Sequence, residues 1–275
     1  MEEYLGFKTI ELDEVGLANF YENKWVNIAE CLTNEYLLVY KDDELIDQLR
    51  WDGSEYTKVP FRVINSKFLG KIKPRNVMQR NLIDLLYNDN ITVKVTTGPY
   101  GSGKDMLMVS AALDLVDKGR YDKIVWVRNN IEVKDSKPIG HLPGDGNDKL
   151  LPYAMVVADH VGGLEGLRMM MDSGKIELVH LGFIRGRDIK NSIILCSEAE
   201  NMTKEHIQLL IGRVGEGSTL WLNGDHRQTD SITFERNPGL LTTIDRLKGQ
   251  DLFGYVKLLK TERSRTAALA DLLDN

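Results

Sequence analysis

From residue 91 onward the apolar positions fall into short runs separated by longer stretches with helical spacing. The runs 91–96, 123–128, 176–180, 192–196 and 219–223 mostly lack polar alternation. Strands of that kind are buried on both faces, as in a mainly parallel sheet covered by helices. Helices are predicted over 106–117, 149–161, 164–171, 203–211 and 239–248, and around Leu82, Ile83, Leu85 and Leu86 ahead of the first strand. Gly144-Asp145-Gly146-Asn147 and residues 212–217 read as loops between them. The predicted class is α/β, with helices on each side of the sheet.

Up to about Ser66 the pattern differs. Residues 35–40, 44–51 and 54–59 read as short strands, joined by Lys41-Asp42-Asp43 and by Asp52-Gly53, a strong hairpin signal. This predicts a small β-rich module over 1–66, serving either as an interface or as structural support. A basic link, 67–73, leads from it into a larger domain over 67–275.

Composition narrows the possibilities. The 275 residues are 42% hydrophobic and 28% charged, as in ordinary folded chains. They allow one large domain or one domain plus a small one. No apolar run approaches the eighteen residues of a membrane span, and Met1-Glu2-Glu3-Tyr4 has no signal-peptide core, so a cytoplasmic location is expected. Cys31 and Cys196 are far apart, and the five histidines show no metal-ligand spacing. A net charge of −6 argues against indiscriminate binding to nucleic acid, while leaving room for a local basic groove.

The candidate chemistry centres on Gly98-Pro99-Tyr100-Gly101-Ser102-Gly103-Lys104-Asp105, between a predicted strand and a predicted helix. It matches the phosphate-loop pattern G-x-x-x-x-G-K-[ST] except that Asp105 replaces the hydroxyl residue. The glycines let backbone N–H groups point at a phosphate, the helix start adds its positive dipole end, and Lys104 supplies a point charge. Ligand groups in such a sheet gather beyond the carboxyl ends of the strands. There the chain places Ser197-Glu198-Ala199-Glu200-Asn201, Asn223-Gly224-Asp225 and Arg128-Asn129-Asn130. Glu198 fills the water-positioning role beside a phosphate loop.

These motifs carry a resemblance. With 73–80 (Lys-Pro-Arg-Asn-Val-Met-Gln-Arg), Gly140-His141-Leu142-Pro143-Gly144, Ile184-Arg185-Gly186-Arg187, Gly224-Asp225-His226-Arg227-Gln228 and Thr261-Glu262-Arg263-Ser264-Arg265, the chain from about Asn34 onward resembles PhoH family ATPases. The closer likeness is to the ATPase part of proteins in which that module follows a PIN nuclease domain. The resemblance implies a RecA-like P-loop NTPase core, ATP and Mg²⁺ as cofactors, and helicase-like action on single-stranded RNA or DNA by hexameric rings. It also implies that Gln79 reads the adenine edge, that Gln228 senses the terminal phosphate, and that Arg263 or Arg265 approaches a phosphate, across a subunit interface. Surface ion pairing is the alternative for the two arginines. Too few residues precede Asn34 for a PIN domain, so the chain is not expected to cut RNA itself. A separate nuclease subunit stays open as a partner.

The chain departs from the family at Asp105, where a hydroxyl is usual, and at Ser197, where an aspartate is usual. If both face one Mg²⁺, the ligands have traded places, with Asp105 giving the charged oxygen and Ser197 the neutral one. The competing reading is a decayed hydrolytic site in a nucleotide-binding scaffold. For nucleic acid, the candidate contacts are Lys67, Lys71, Lys73, Arg75 and Arg80 and the loop with Phe183, Arg185, Arg187 and Lys190. Trp126 and Trp221, inside apolar strands, are expected in the core.

Overall fold

The computed structural model describes residues 3–128, 151–225 and 232–262. It opens with strand β1 (Phe7–Glu11), helix α1 (Glu14–Glu22) and strands β2 (Tyr36–Lys41), β3 (Glu44–Trp51) and β4 (Tyr56–Lys58). β1 pairs parallel to β2, and β2, β3 and β4 pair antiparallel. The 44–51 strand and the hairpin on Asp52-Gly53 are as the pattern predicts. Helix α1 corrects the all-strand expectation. Asp13 caps it by accepting from the Gly16 N–H at 2.7 Å, a local signal, but Phe20 is its one buried residue, so the apolar periodicity is faint. The basic link also contains structure, the hairpin of β5 (Ile64–Ser66) and β6 (Gly70–Ile72).

The chain continues with α2 (Val77–Tyr87), β7 (Val93–Thr97), α3 (Lys104–Asp117), β8 (Lys123–Arg128), α4 (Met155–Ala158), α5 (Gly163–Asp172), β9 (Ile176–His180) and β10 (Ser192–Cys196). It then forms α6 (Lys204–Ile211), β11 (Thr219–Gly224), α7 (Ile232–Arg236), α8 (Gly239–Leu247) and β12 (Phe253–Lys257). The predicted 149–161 helix is instead a 3₁₀ turn, Leu151–Ala154, followed by the single turn α4. β12 is a strand that the pattern did not single out.

Six strands form one sheet in the order β12-β7-β11-β10-β8-β9, every pair parallel. This is a RecA-like P-loop core with a small N-terminal β module. Alternation divides the sheet into two faces. Ile193, Leu195, Trp221 and Trp126 join the cluster with α2 and α3, while Ile194, Cys196, Leu220 and Leu222 join the one with α6 and α8. Trp126 and Trp221 are buried as expected.

The N-terminal sheet packs onto α2. Tyr36 donates from its hydroxyl to Asn81 O and Asp84 Oδ2, each at 3.0 Å. Gln48 donates to Val77 O and Asn81 Oδ1 at 3.0 Å, and Arg80 reaches back to Gln48 and Val59. Tyr36, Leu38, Val59 and Ile64 share a core cluster with α2 and α3. The module thereby fixes the helix whose start faces the phosphate loop.

Candidate functional site

The phosphate loop leaves β7 at the carboxyl edge of the sheet and enters α3 through Gly103. Gly98 and Gly103 have φ of 155° and 90°, which favour glycine. A Cβ on Gly98 would lie 2.7 Å from Leu258 O, and one on Gly103 would lie 3.1 Å from Gln79 Nε2. Lys104 turns its ammonium back over the loop, donating to Gly98 O at 2.6 Å and Pro99 O at 3.0 Å. This draws Lys104 to the middle of the curve that Gly98, Pro99, Tyr100, Gly101, Ser102 and Gly103 describe. Ser102 is buried, and its Oγ has no hydrogen-bond partner among the described residues.

A cleft of about 370 Å³ runs across this loop, lined among others by Lys104, Asp105, Glu198, Glu200, Asn223 and Asp225. The sheet order explains how they meet. β11 lies beside β7, and β10 beside β11, so the acids after β10 and the Asn223 end of β11 share one side of the loop. Asn223 spans the gap, donating from Nδ2 to Asp105 Oδ1 at 2.9 Å. Sequence reading placed Asn223 at a strand end without finding this bond, which depends on β11 being the strand next to β7.

Ser197 follows Cys196, which pairs with Leu222, so it comes level with Asn223. Ile193 and Leu195 face α3, and the same alternation carries Ser197 to that face, where Asn223 meets Asp105. Ser197 is 3% exposed and its Oγ has no hydrogen-bond partner among the described residues. A buried hydroxyl without a partner is costly. Ser197 is not among the residues that line the cleft.

Glu198 has a left-handed backbone, φ 55°, an uncommon state for a side-chain-bearing residue. Its carboxylate makes an ion pair at 2.5 Å with Arg128 from the end of β8. Glu200 is 8% exposed and accepts from the Asp225 N–H at 3.2 Å. Burial raises its pKa to about 8, with the Glu198 charge adding to the rise and Lys104 opposing it. The sequence motif contains Glu200, but nothing in its spacing signals that one of two acids is buried and the other ion-paired.

Gln79, near the start of α2, is 1% exposed. Its Oε1 accepts from the Arg75 N–H and its Nε2 donates to Ser102 O, each at 2.9 Å. Its Nε2 bond to Ser102 O braces the loop. Beyond β12, residues 258–262 cross the other flank of the loop. Leu258 N–H donates to Thr97 O at 2.7 Å and Glu262 N–H to Gly101 O at 2.8 Å, while the Thr261 hydroxyl bonds Tyr100 O at 2.9 Å. Gln228, Arg263, Arg265 and the 140–144 motif lie outside the described residues.

The nucleic-acid candidates scatter. Lys67 pairs with Asp117 at 3.0 Å, Arg187 with Glu177 at 2.9 Å and Lys190 with Asp188 at 3.3 Å, and Arg80 is held by Gln48 and Val59. Lys71, Lys73 and Arg185 are exposed. Phe183 is 77% exposed on a turn anchored by fully buried Ile184. Among the described residues no helix is long and apolar enough to cross a membrane.

Comparison with known proteins gives the family. The profile of the family described as PhoH-like protein matches residues 71–274. Protein PhoH2 of Bacillus subtilis (strain 168) is 32% identical over 290 residues, covering 99% of this chain and 65% of its own length. Protein PhoH2 of Mycolicibacterium smegmatis is 31% identical over 201 residues, 72% of this chain and 46% of its own. A PhoH-like protein of Bacillus subtilis (strain 168) is 28% identical over 206 residues, 74% of this chain and 63% of its own. This chain therefore spans between about half and two thirds of these relatives' lengths. The first alignment takes in the N-terminal module, so the similarity reaches further than from Asn34. With most of its length matched by the profile, the chain belongs to the PhoH-like protein family.

Proposed function

We propose that this chain binds and hydrolyses ATP in a Mg²⁺-dependent reaction, in the cytoplasm, and couples it to binding or remodelling single-stranded RNA or DNA. Family membership supports a P-loop ATPase-type function. The observation that carries the finer reading is one cleft joining Lys104 and the phosphate loop to Glu198, Glu200 and Asn223. In it Lys104 neutralises phosphate charge, Glu198 orients the attacking water, and Gln228 and Arg263 or Arg265 approach the terminal phosphate, the arginines from a neighbouring subunit of a ring.

The donor set fits a hard cation. Mg²⁺ prefers oxygen ligands and needs only one or two from the protein, with phosphate and water completing its shell. Asp105, aligned by Asn223, and the partnerless Ser197 hydroxyl are the residues that would hold it. The cation would neutralise charge on the phosphates. One carboxylate and one hydroxyl remain, in traded positions.

The test is phosphate release with Mg²⁺ or with chelator, with and without single-stranded RNA or DNA, for the unmodified chain and Lys104→Ala. Expected are Mg²⁺-dependent turnover, stimulation by the strand, salt-sensitive strand binding, and loss of turnover in the variant. Turnover unaffected by Lys104→Ala would refute the assignment. Nucleotide binding without turnover would favour a scaffold with impaired hydrolysis, a reading that the Glu198–Arg128 ion pair supports.

A further inference from the structure

The acids that follow β10 stand between unlike neighbours. The phosphate loop lies on their β11 side, because β7 is the strand next to β11, whereas β8 lies on the other side. Cys196 pairs with Val127, so Arg128 at the end of β8 comes level with Ser197 and beside Glu198. The Glu198 carboxylate can turn toward either strand. It turns to β8, where Arg128 Nη2 donates to its Oε2 at 2.5 Å.

The pair is built into the sheet edge. The Arg128 side chain is 20% exposed, on a strand flanked by β9 and β10. Glu198 has φ 55° and ψ 42°, a left-handed state that a side-chain-bearing residue keeps only where its surroundings enforce it. Those surroundings include the Asn201 N–H, which donates to Glu198 O at 3.0 Å, and the guanidinium on the carboxylate. A carboxylate that orients an attacking water must offer that water an oxygen. Here Oε2 already accepts from a cation, and the pair draws the carboxylate toward β8, away from the loop that takes the phosphates.

We propose that Arg128 is a positioning residue that restrains Glu198, so that hydrolysis runs below what the cleft can reach while the pair is made. The proposal rests on the reading above, in which Glu198 orients the water, and adds what limits that residue. Arg128 is not among the residues that line the cleft. Its removal should therefore change turnover and leave nucleotide binding alone.

The test is steady-state phosphate release by the intact chain over a range of ATP concentrations in Mg²⁺. Arg128→Met keeps the stem and removes the charge and the donors, and kcat should rise about 2- to 5-fold, the range for losing a partly exposed ion pair, with KM unchanged. Loss of structure alone would lower the rate. Arg128→Lys keeps the charge without the planar fork and should return kcat at least partway to the unmodified value. A melting curve checks the fold, and Arg128→Gln takes the place of the methionine variant if that one melts early. Glu198→Gln should silence turnover with or without Arg128. If it does, an unchanged or lower kcat in Arg128→Met overturns the restraint and leaves the role of Glu198 standing. Full turnover in Glu198→Gln overturns that role and this proposal with it. Equal rises in Arg128→Met and Arg128→Lys would trace the effect to packing and remove the charge from the account.

Discussion

Ser197→Ala separates what Ser197 does for folding from what it does for ligand. The hydroxyl is buried in a residue 3% exposed and makes no hydrogen bond among the described residues. Leaving such a group unsatisfied costs about 1–3 kcal/mol, and deleting one oxygen opens only a small void. Without ligand, the variant should therefore be as stable as the unmodified chain or more stable by roughly 0–2 kcal/mol, a rise of a few degrees at about 2–4 °C per kcal/mol. With nucleotide and Mg²⁺ the order should reverse. A tenfold loss of affinity lowers the ligand-induced stabilisation by about 1.4 kcal/mol at saturating ligand. Differential scanning fluorimetry with a non-hydrolysable ATP analogue, in Mg²⁺ or in chelator, gives all four values. A variant that melts lower without ligand would show that the hydroxyl is structurally satisfied. One that keeps the full Mg²⁺-dependent shift would show that it is no ligand.

The same assay reaches the traded-ligand idea through a double-mutant cycle. Ser197→Asp alone puts a second carboxylate near Asp105, and two such charges about 4 Å apart repel by roughly 4 kcal/mol at an effective dielectric near 20. Asp105→Thr alone removes the one carboxylate and the Asn223 bond. Together the two changes restore one charge and one hydroxyl, so the double variant should exceed the product of the singles in Mg²⁺-dependent nucleotide affinity. Simple additivity refutes the exchange.

Glu200, raised by burial to about 8 from 4.5, binds its proton more tightly folded than unfolded. Its stabilising contribution is whole below pH 4.5 and is lost as pH rises to about 8; Glu200→Gln should flatten that decline in melting temperature, and parallel profiles would refute it. Lys94 has the opposite sign: it is 1% exposed, and burial lowers its pKa from 10.5 to about 7, so its penalty eases as pH rises from 7 to 10.5. Lys94→Met should remove that rise although it loses the bond from Nζ to Leu86 O, and an unchanged slope between those pH values would refute the assignment. Gln79→Ala removes the buried hydrogen bond from α2 to Ser102 O of the phosphate loop, and the bond from Arg75 N–H to the same side chain. A loss of about 1–3 kcal/mol in urea unfolding, with weaker nucleotide binding, is expected, and full affinity would show that the loop holds its shape unaided.

Five strands of the large sheet were legible because each is a short, mostly apolar run, which needs no partner to be recognised. β12 was missed for the complementary reason: Phe253-Gly254-Tyr255-Val256-Lys257 is interrupted by a glycine and ends on a lysine, and only its place beside β7 buries it. Helix α1 was missed because almost all of it is solvated. In the site, Lys104, Asp105, Ser197 and Glu198 stand in motifs whose chemistry can be named residue by residue. Asn223 on Asp105 and Glu262 on Gly101 bridge separations of more than a hundred residues. Such contacts are consequences of strand order, which spacing along the chain does not encode.

That strand order also tells how the loop can report its state. Three elements outside the phosphate-loop motif hold it: α2 through Gln79, β11 through Asn223 on Asp105, and the segment after β12 through Glu262 and Thr261. α2 is in turn held by the N-terminal sheet through Tyr36, Gln48 and Arg50. Contacts thus run from the module through α2 to the phosphate loop. On the other flank the coupling is shorter. Glu262 N–H sits on Gly101 O, so a shift of the loop must move the segment after β12 or break that bond.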